Sequence, residues 1–382
     1  MSIRAFRLSF LVVIVAYLAL WGRQSDGIAD DPGLGWHLRT GALVLEEGKV
    51  PRTDPFLALP RSGASNPGTP RPWVADQWLG DTILHSLYSF GGWPLVYAVT
   101  IGLFTIAFWG VVLSTAYAAS GSALCAIIAT GLAWKAAQVH LIIRPVLASV
   151  VLFAVLASRV RRLAVTQPTS KGPAVRQGLA LCSLFVLWAN LHPAFVLGLA
   201  LIWTLSVEWL PRCDWTPKRS ALQRCGVLFA LLGGCAIATL INPYGWRIYE
   251  SFFELSTSSY LRSINQEWRP LHIGSNEGVL VVLVSVVPLA LALMARPRRA
   301  GGFLFDILST AVLTYAAFRM VRFVPYAVIV AAPLAASTLA RLREVRLPPV
   351  CGVTSRFISA LEKRLALPRS PTLLATVIAL VC

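Results

Sequence analysis

The sequence predicts an all-α fold, a polytopic transmembrane helix bundle whose long first outer loop contains amphipathic helices. Three observations predict it. Only 13% of the 382 residues are charged while 56% are hydrophobic, and the mean hydropathy is +0.67; a soluble domain carries about 25% charged residues. Apolar runs recur along the whole chain, bounded by charge or by Gly and Pro. Lysine and arginine gather in alternate connectors, the pattern that orients membrane helices.

The runs place spans at about 6–21, 92–117, 121–139, 144–158, 177–190, 193–210, 225–242, 278–294, 304–318 and 324–340. Several are shorter than the ~20 residues of a straight crossing, so tilt or extension into the connectors is expected. The last two runs before residue 210 are separated at Asn190-Leu191-His192-Pro193, where a proline and polar groups interrupt the apolar sequence. The first segment, with Arg4 and Arg7 ahead of it, reads as an uncleaved helix, since Leu20-Trp21-Gly22-Arg23 lacks a small-x-small cleavage site. The spans form one bundle over residues 1–340. A basic cytoplasmic segment, 341–371, follows, and 372–382 reads as the start of a further span.

With the N-terminus in the cytoplasm, 21 of the 34 Lys and Arg fall inside and 12 outside. Acidic residues divide the other way, 12 of 17 lying outside. The inner face is therefore strongly positive and the outer face neutral, which predicts a multi-pass inner-membrane protein with a cytoplasmic N-terminus. The formal charge of +17 belongs to these connectors, and nucleic-acid binding is excluded as a class. The seven cysteines form no CxxC pair and none lies in an outer loop, so no structural disulfide is expected.

Residues 22–91 make the long outer loop. Within it, 74–90 has Leu79, Ile83, Leu87 and Phe90 at helical spacing and Asp76, Gln77, Asp81 and His85 opposite. Such a helix lies either in the lipid headgroups, apolar side down, or against the bundle.

The same topology gathers the chemistry-bearing residues on the outer side. Asp30, Asp31, His37, Asp54 and Asp76 lie in the long loop, and His140 and Arg144 between the third and fourth spans. Asn190 and His192, then Asn242, Tyr244, Glu267, Trp268 and His272, and finally Arg319 and Arg322 occupy the later outer connectors. Charged groups near a bilayer are costly and mark function. Arginine suits a phosphate because its planar fork is always charged and bonds oxygen in pairs. A carboxylate can take a proton from a hydroxyl or hold a divalent cation. Taken singly, each residue also has a structural explanation: Asp30 and Asp31 as helix caps, Arg319 and Arg322 snorkelling to headgroups, His192 bonded to nearby backbone, and Trp73, Trp78 and Trp268 as interface anchors.

Several of these strings resemble a known family. Asp31-Pro32-Gly33-Leu34-Gly35-Trp36-His37-Leu38-Arg39-Thr40-Gly41 is similar to an opening motif of bacterial multispanning proteins related to the GT-C glycosyltransferases, the class that includes protein mannosyltransferases and aminoarabinose transferases. Val50-Pro51-Arg52-Thr53-Asp54-Pro55-Phe56, Trp73 to Trp78, Arg144-Pro145, Asn190-Leu191-His192, Asn242-Pro243-Tyr244-Gly245, Glu267-Trp268 and Arg322-Phe323 follow in the family's order. The resemblance implies a GT-C-like bundle that moves a sugar from a polyprenyl-phosphate donor to an acceptor at the outer face. It implies that Asp31 or Asp30 acts as the first-loop acid, with Asp54 as a further candidate. His37, Arg144, Asn190, His192, Glu267, Arg319 and Arg322 would bind substrate and lipid phosphate, and a divalent cation could take part. The family pattern has a second acid where this chain has Gly33 and a tryptophan where it has Gly35. A transporter or flippase of a lipid-linked or anionic solute, or a non-catalytic relative, are the alternatives; Lys135 is the one charge within a predicted span, and no internal repeat is visible.

Overall fold

The computed structural model describes residues 17–19, 21, 28–29, 31–56, 71–166, 171–209, 218–257, 263, 265–295 and 301–344. The described residues are helical, with no strand among them beyond an isolated bridge between Thr53 and Pro72. Most of the first predicted span, Asp30 and everything from residue 345 lie outside them.

The helices are α1 (Leu34–Glu47), α2 (Trp78–Thr105), α3 (Leu113–Ser120), α4 (Ala123–Ala137), α5 (Val146–Thr166), α6 (Lys171–Leu191), α7 (Phe195–Trp203), α8 (Leu205–Trp209), α9 (Lys218–Ala238), α10 (Arg247–Thr257), α11 (Asn276–Val281), α12 (Val287–Met294), α13 (Phe303–Arg319) and α14 (Val324–Glu344). Wide π turns at Ile106–Val112 and Val282–Val286 join α2 to α3 and α11 to α12 without breaking the rod. Among the described residues, three helical stretches are long and apolar enough to cross a membrane: Trp78–Ser120, Asn276–Met294 and Val321–Arg343. Val175–Leu191, Phe195–Trp209 and Cys225–Ala238 are apolar but shorter. Helix is the natural form of such segments, because it satisfies every backbone N–H and C=O within the segment when no water is at hand.

Close packing of small residues organises the centre. α14 turns Ala327, Ala331, Ala332, Ala335 and Ala336 inward, and α4 buries Ala126, Ala129, Ala133, Ala136 and Ala137. Small side chains let backbones approach where lipid offers no hydrophobic drive for association. α14 therefore becomes the most deeply buried of the three long spans, packed on α4, α13 and α3.

The amphipathic stretch predicted at 74–90 begins as a helix at Trp78 and runs on into the following span. The two parts meet at Gly92, whose φ of 60° and ψ of −161° are open to glycine and closed to residues with a Cβ. Its polar side faces the protein: Gly80, Asp81 and Leu84 are buried, while Ile83 and Phe90 are exposed. Asp81 is drawn inward by α1, against which this part of α2 packs.

At the end of the helices away from the outer loop, the Glu208 carboxylate accepts the Gly302 and Phe305 amides at 2.9 and 3.1 Å and so caps α13. Arg161 pairs with Asp306 as a fork, Nε to Oδ1 and Nη2 to Oδ2 both at 2.9 Å. Lys135 sits in the last turn of α4 and reaches Gln138 at 3.1 Å, a snorkelling cation at a helix end rather than a group at mid-span.

Candidate functional site

The site is assembled where helices end. The break expected at residues 190–193 is present: α6 stops at Leu191 and α7 starts at Phe195. Trp78 at the start of α2 donates its indole N–H to Asn190 Oδ1 at 3.1 Å, and the Asn190 amide donates to the Val186 and Ile241 carbonyls, each at 2.8 Å. Asn190 is thus a knot joining three connectors. Two residues later, Gly80 passes so close to Pro145 and the Leu191 carbonyl that a Cβ there would lie 2.6 Å from one and 2.9 Å from the other. Tyr244, in the Asn-Pro-Tyr-Gly turn, accepts the Ala75 amide at 3.0 Å and donates to the Pro51 carbonyl at 2.6 Å. These ties bring the long loop over the ends of α5, α6 and α9.

Arg144, just ahead of α5, is the hub. Its Nε and Nη2 hold both oxygens of Asp31, and its Nη1 donates to Glu267 Oε1 at 2.6 Å. The Gly33 amide adds a 2.9 Å bond to Asp31 Oδ1. Asp31's side chain is 1% exposed against 22% for Arg144. Burial alone would raise the Asp31 pKa; the Arg144 hydrogen bond, the Gly33 amide and the guanidinium charge outweigh it and hold the carboxyl below its ordinary range. Glu267 is likewise raised by burial and brought below its ordinary value by the charges of His140, Arg322 and Arg144. His140 Nδ1 lies 3.4 Å from Glu267 Oε2, yet burial pushes the imidazole down to about 4, so it faces the carboxylate as a neutral ring at pH 7.

Arg322, at the start of α14, stands over the Trp268 ring at 4.8 Å, a cation–π contact. No carboxylate among the described residues bonds it, so its donors are uncommitted in a way that those of Arg144 are not. Trp268 follows Glu267, so the two arginines flank one short turn. His37 Nδ1 meets Asp81 Oδ1 at 2.7 Å beside this group.

His192 is buried. Its Nδ1 accepts the Ala194 amide at 3.1 Å and lies 2.9 Å from Ser149 Oγ, which in turn accepts the Trp188 indole N–H at 2.8 Å. Burial, then the charges of Arg322, His140, His37 and Arg144, hold its pKa well below the usual histidine value.

No protein-family model and no curated protein matches the chain. The geometry carries the argument from here.

Of the residues singled out in the sequence, Asp31, Arg144 and Glu267 are joined directly by ion pairs. His192 and Arg322 lie close enough to interact electrostatically with that group. His37 is tied to Asp81, and Asn190 is structural in its contacts. Asp54 accepts the Phe56 amide at 2.8 Å, closing a turn around Pro55. Arg319 is exposed at the end of α13 and makes no ion pair among the described residues. Asp30 falls outside the described residues. Trp78 and Trp268 have specific partners; Trp73 packs edge-on against Phe56, which stacks on Trp36.

Sequence reasoning passed over Ser149 and Trp188, two residues in apolar runs whose only signal is a polar atom with no neighbour to bond along its own helix. Asp81 was visible only as the polar side of an amphipathic helix, whereas Asp76 already stood among the polar residues of the long loop. Asp76 is buried with Ser251 Oγ at 3.3 Å, and burial followed by the nearby Asp81 charge pushes it up to about 6. Among the described residues no three His, Cys, Asp or Glu are grouped to hold a metal ion. Between Asp31 and Glu267 the cation is the Arg144 guanidinium itself. Gly33, where the family pattern has an acid, sits on the pair: a Cβ would lie 3.4 Å from Asp31 Oδ1 and 3.6 Å from Arg144 Nη2. Gly35 faces open space.

Proposed function

We propose that this chain is a GT-C-type membrane glycosyltransferase that moves a sugar from a polyprenyl-phosphate-linked donor to an acceptor at the outer face of a bacterial inner membrane. In this reading it is multi-pass, with about ten spans and a cytoplasmic N-terminus, and the Lys/Arg asymmetry of its connectors supports that orientation. The observation that carries the function is the union of Asp31, Arg144, Glu267, Trp268 and Arg322, from four distant segments, at one end of the bundle.

The roles follow from what each group has left to give. Arg322 has uncommitted N–H donors and a permanent charge, so it takes the donor phosphate, which gains negative charge as the sugar–oxygen bond breaks. Arg144 adds a second positive centre, held in place by Asp31 and Glu267. Asp31, with both oxygens occupied and its proton affinity lowered, positions Arg144 rather than serving as a free base. Trp268 supports Arg322 and offers an aromatic face beside the phosphate. The lipid tail lies along the exposed apolar side chains of the spans, in the bilayer.

The test is turnover of radiolabelled polyprenyl-phosphate sugars, hexose and pentose, by membranes holding the full chain. The wild type is expected to turn over one of them. Removing Arg322 (Arg322→Ala) or Asp31's charge (Asp31→Asn) should lower turnover about a hundredfold. No turnover by the wild type, or full turnover by Arg322→Ala, refutes the proposal.

A further inference from the structure

Sugar transfer to a hydroxyl needs a group that takes the acceptor's proton. The groups closest to the Arg144 hub are not free to do so. Asp31 has both oxygens on the guanidinium, and Glu267 is bonded to the same side chain. His140 and His192 are each only 4% exposed. His37 is less enclosed: its side chain is 16% exposed, against 6% for Asp81 opposite it.

The backbone explains how that pair is made. The Leu34 and His37 amides bond the Asp31 and Gly33 carbonyls at 3.0 and 3.1 Å, so α1 starts on the segment that holds Asp31 and carries His37 one turn along. A further turn on stands Gly41. The Asp81 carbonyl oxygen lies 2.1 Å from where a Cβ on Gly41 would be, so the backbones of α1 and α2 nearly touch. This approach brings Asp81 Oδ1 to 2.7 Å from His37 Nδ1.

An ionised carboxylate can only accept, so Nδ1 carries the ring proton and the lone pair is left on Nε2. The two nitrogens of an imidazole point well apart, and a ring with Nδ1 on Asp81 aims Nε2 away from that enclosed carboxylate. Nε2 has no hydrogen-bond partner among the described residues. The titratable groups acting on the ring are Asp81 on α2, Asp76 ahead of it, Asp31 ahead of α1 and His192 between α6 and α7. A proton taken at Nε2 makes an imidazolium whose other N–H already lies on the Asp81 carboxylate.

We propose that His37 is the catalytic base that removes the acceptor hydroxyl's proton at Nε2, with Asp81 as the positioning residue that fixes its tautomer. This rests on the transferase reading above. The acceptor oxygen bonds the sugar's anomeric carbon as the bond from that carbon to the donor phosphate oxygen breaks. The bonding pair leaves with the polyprenyl phosphate, the hydroxyl proton moves to Nε2, and the imidazolium passes it to water. The role is opposite in charge to the phosphate binding that the family resemblance implies for His37, since a phosphate ligand works as a cation and a base works neutral.

The experiment has two arms. In the first, solid-state nitrogen NMR of the full chain in bilayers with ¹⁵N-histidine, using His37→Ala to assign the His37 signals, should show a neutral ring at pH 8 with Nδ1 protonated and Nε2 bare. In the second, turnover of polyprenyl-phosphate sugar is followed in membranes. His37→Ala should lower kcat on the order of a hundredfold. Added imidazole should restore part of it, more so with more basic substituted imidazoles and at higher pH, where they are neutral. Asp81→Asn should lower kcat about tenfold or more with the donor KM unchanged; a raised KM with kcat intact would make Asp81 a structural tie and overturn its role.

A neutral ring protonated at Nε2 overturns the inference whatever the protein's activity. Rescue that grows as pH falls marks a phosphate-binding cation and overturns the base. Turnover that His37→Ala leaves intact, or a loss that no imidazole restores, overturns the base too and leaves the transferase reading standing. No turnover by the wild type ends both.

Discussion

Consider replacing Arg144 with methionine, which keeps most of the side chain's length and removes its charge. Two carboxylates lose their common partner. Asp31, with a side chain 1% exposed, is left with little contact with water, while Glu267 is less enclosed at 15% and keeps Arg322 nearby. Breaking a buried pair by removing one partner costs about 3–5 kcal/mol, and the enclosure of Asp31 puts this case within that range at pH 7.5. The pH dependence identifies the cause. In the wild type both acids sit below their ordinary pKa values, so their contribution is present at neutral pH and is lost as pH falls below the unfolded values near 4. In the variant Asp31 loses the two largest effects of the guanidinium, and burial is opposed mainly by the Gly33 amide. Its pKa moves up, and stability is lost as pH rises from about 4 instead. The gap between the two proteins is therefore widest at pH 7.5 and closes toward pH 4. Equilibrium unfolding in mixed micelles, followed by tryptophan fluorescence at both pH values, measures it. Adding Asp31→Asn to Arg144→Met should recover at least half of the loss. A penalty equal at the two pH values, or below ~1 kcal/mol at pH 7.5, would show that the Arg144 cluster is not the enclosed ion pair described.

Gly41→Ala should destabilise the α1–α2 contact by about 1–3 kcal/mol, since a Cβ there would meet the Asp81 carbonyl oxygen at 2.1 Å; unchanged unfolding would show that the helices can part freely. Tyr244→Phe leaves the Ala75 amide and Pro51 carbonyl without their shared hydroxyl, at about 1–3 kcal/mol, and the loop ahead of α2 should be cut faster in limited proteolysis. Asp76 is pushed up from 3.8 to about 6, so wild-type stability should fall as pH rises between those values, by on the order of 3 kcal/mol in full. Asp76→Asn should abolish that slope and be the more stable protein at pH 7.5, and identical melting profiles from pH 4 to 7.5 would refute the burial of the charged form.

Much of the site was legible in one dimension because membrane sequences separate their chemistry. A polar residue in an apolar chain collects at segment ends, and so Arg144, Asn190, His192, Glu267 and Arg322 could each be named from position. Their roles could not. Arg144 reads as a phosphate ligand until Asp31 and Glu267 are seen on its guanidinium. Asn190 reads as a ligand until it is seen holding Trp78 and the Ile241 carbonyl. Ser149 and Trp188 carry only a weak signal, because a lone hydroxyl or indole in an apolar run is common and its partner lies on another helix.

The chain by itself determined the helices, the break before Pro193 and the side on which the polar connectors gather, since local hydropathy and backbone hydrogen bonding decide those matters residue by residue. Tertiary structure alone decided which arginine carries two carboxylates and which, among the described residues, has none bonded to it. Those outcomes depend on donors and acceptors brought together from segments a hundred or more residues apart in several cases, as with Asp31 and Arg144, and no local pattern encodes them.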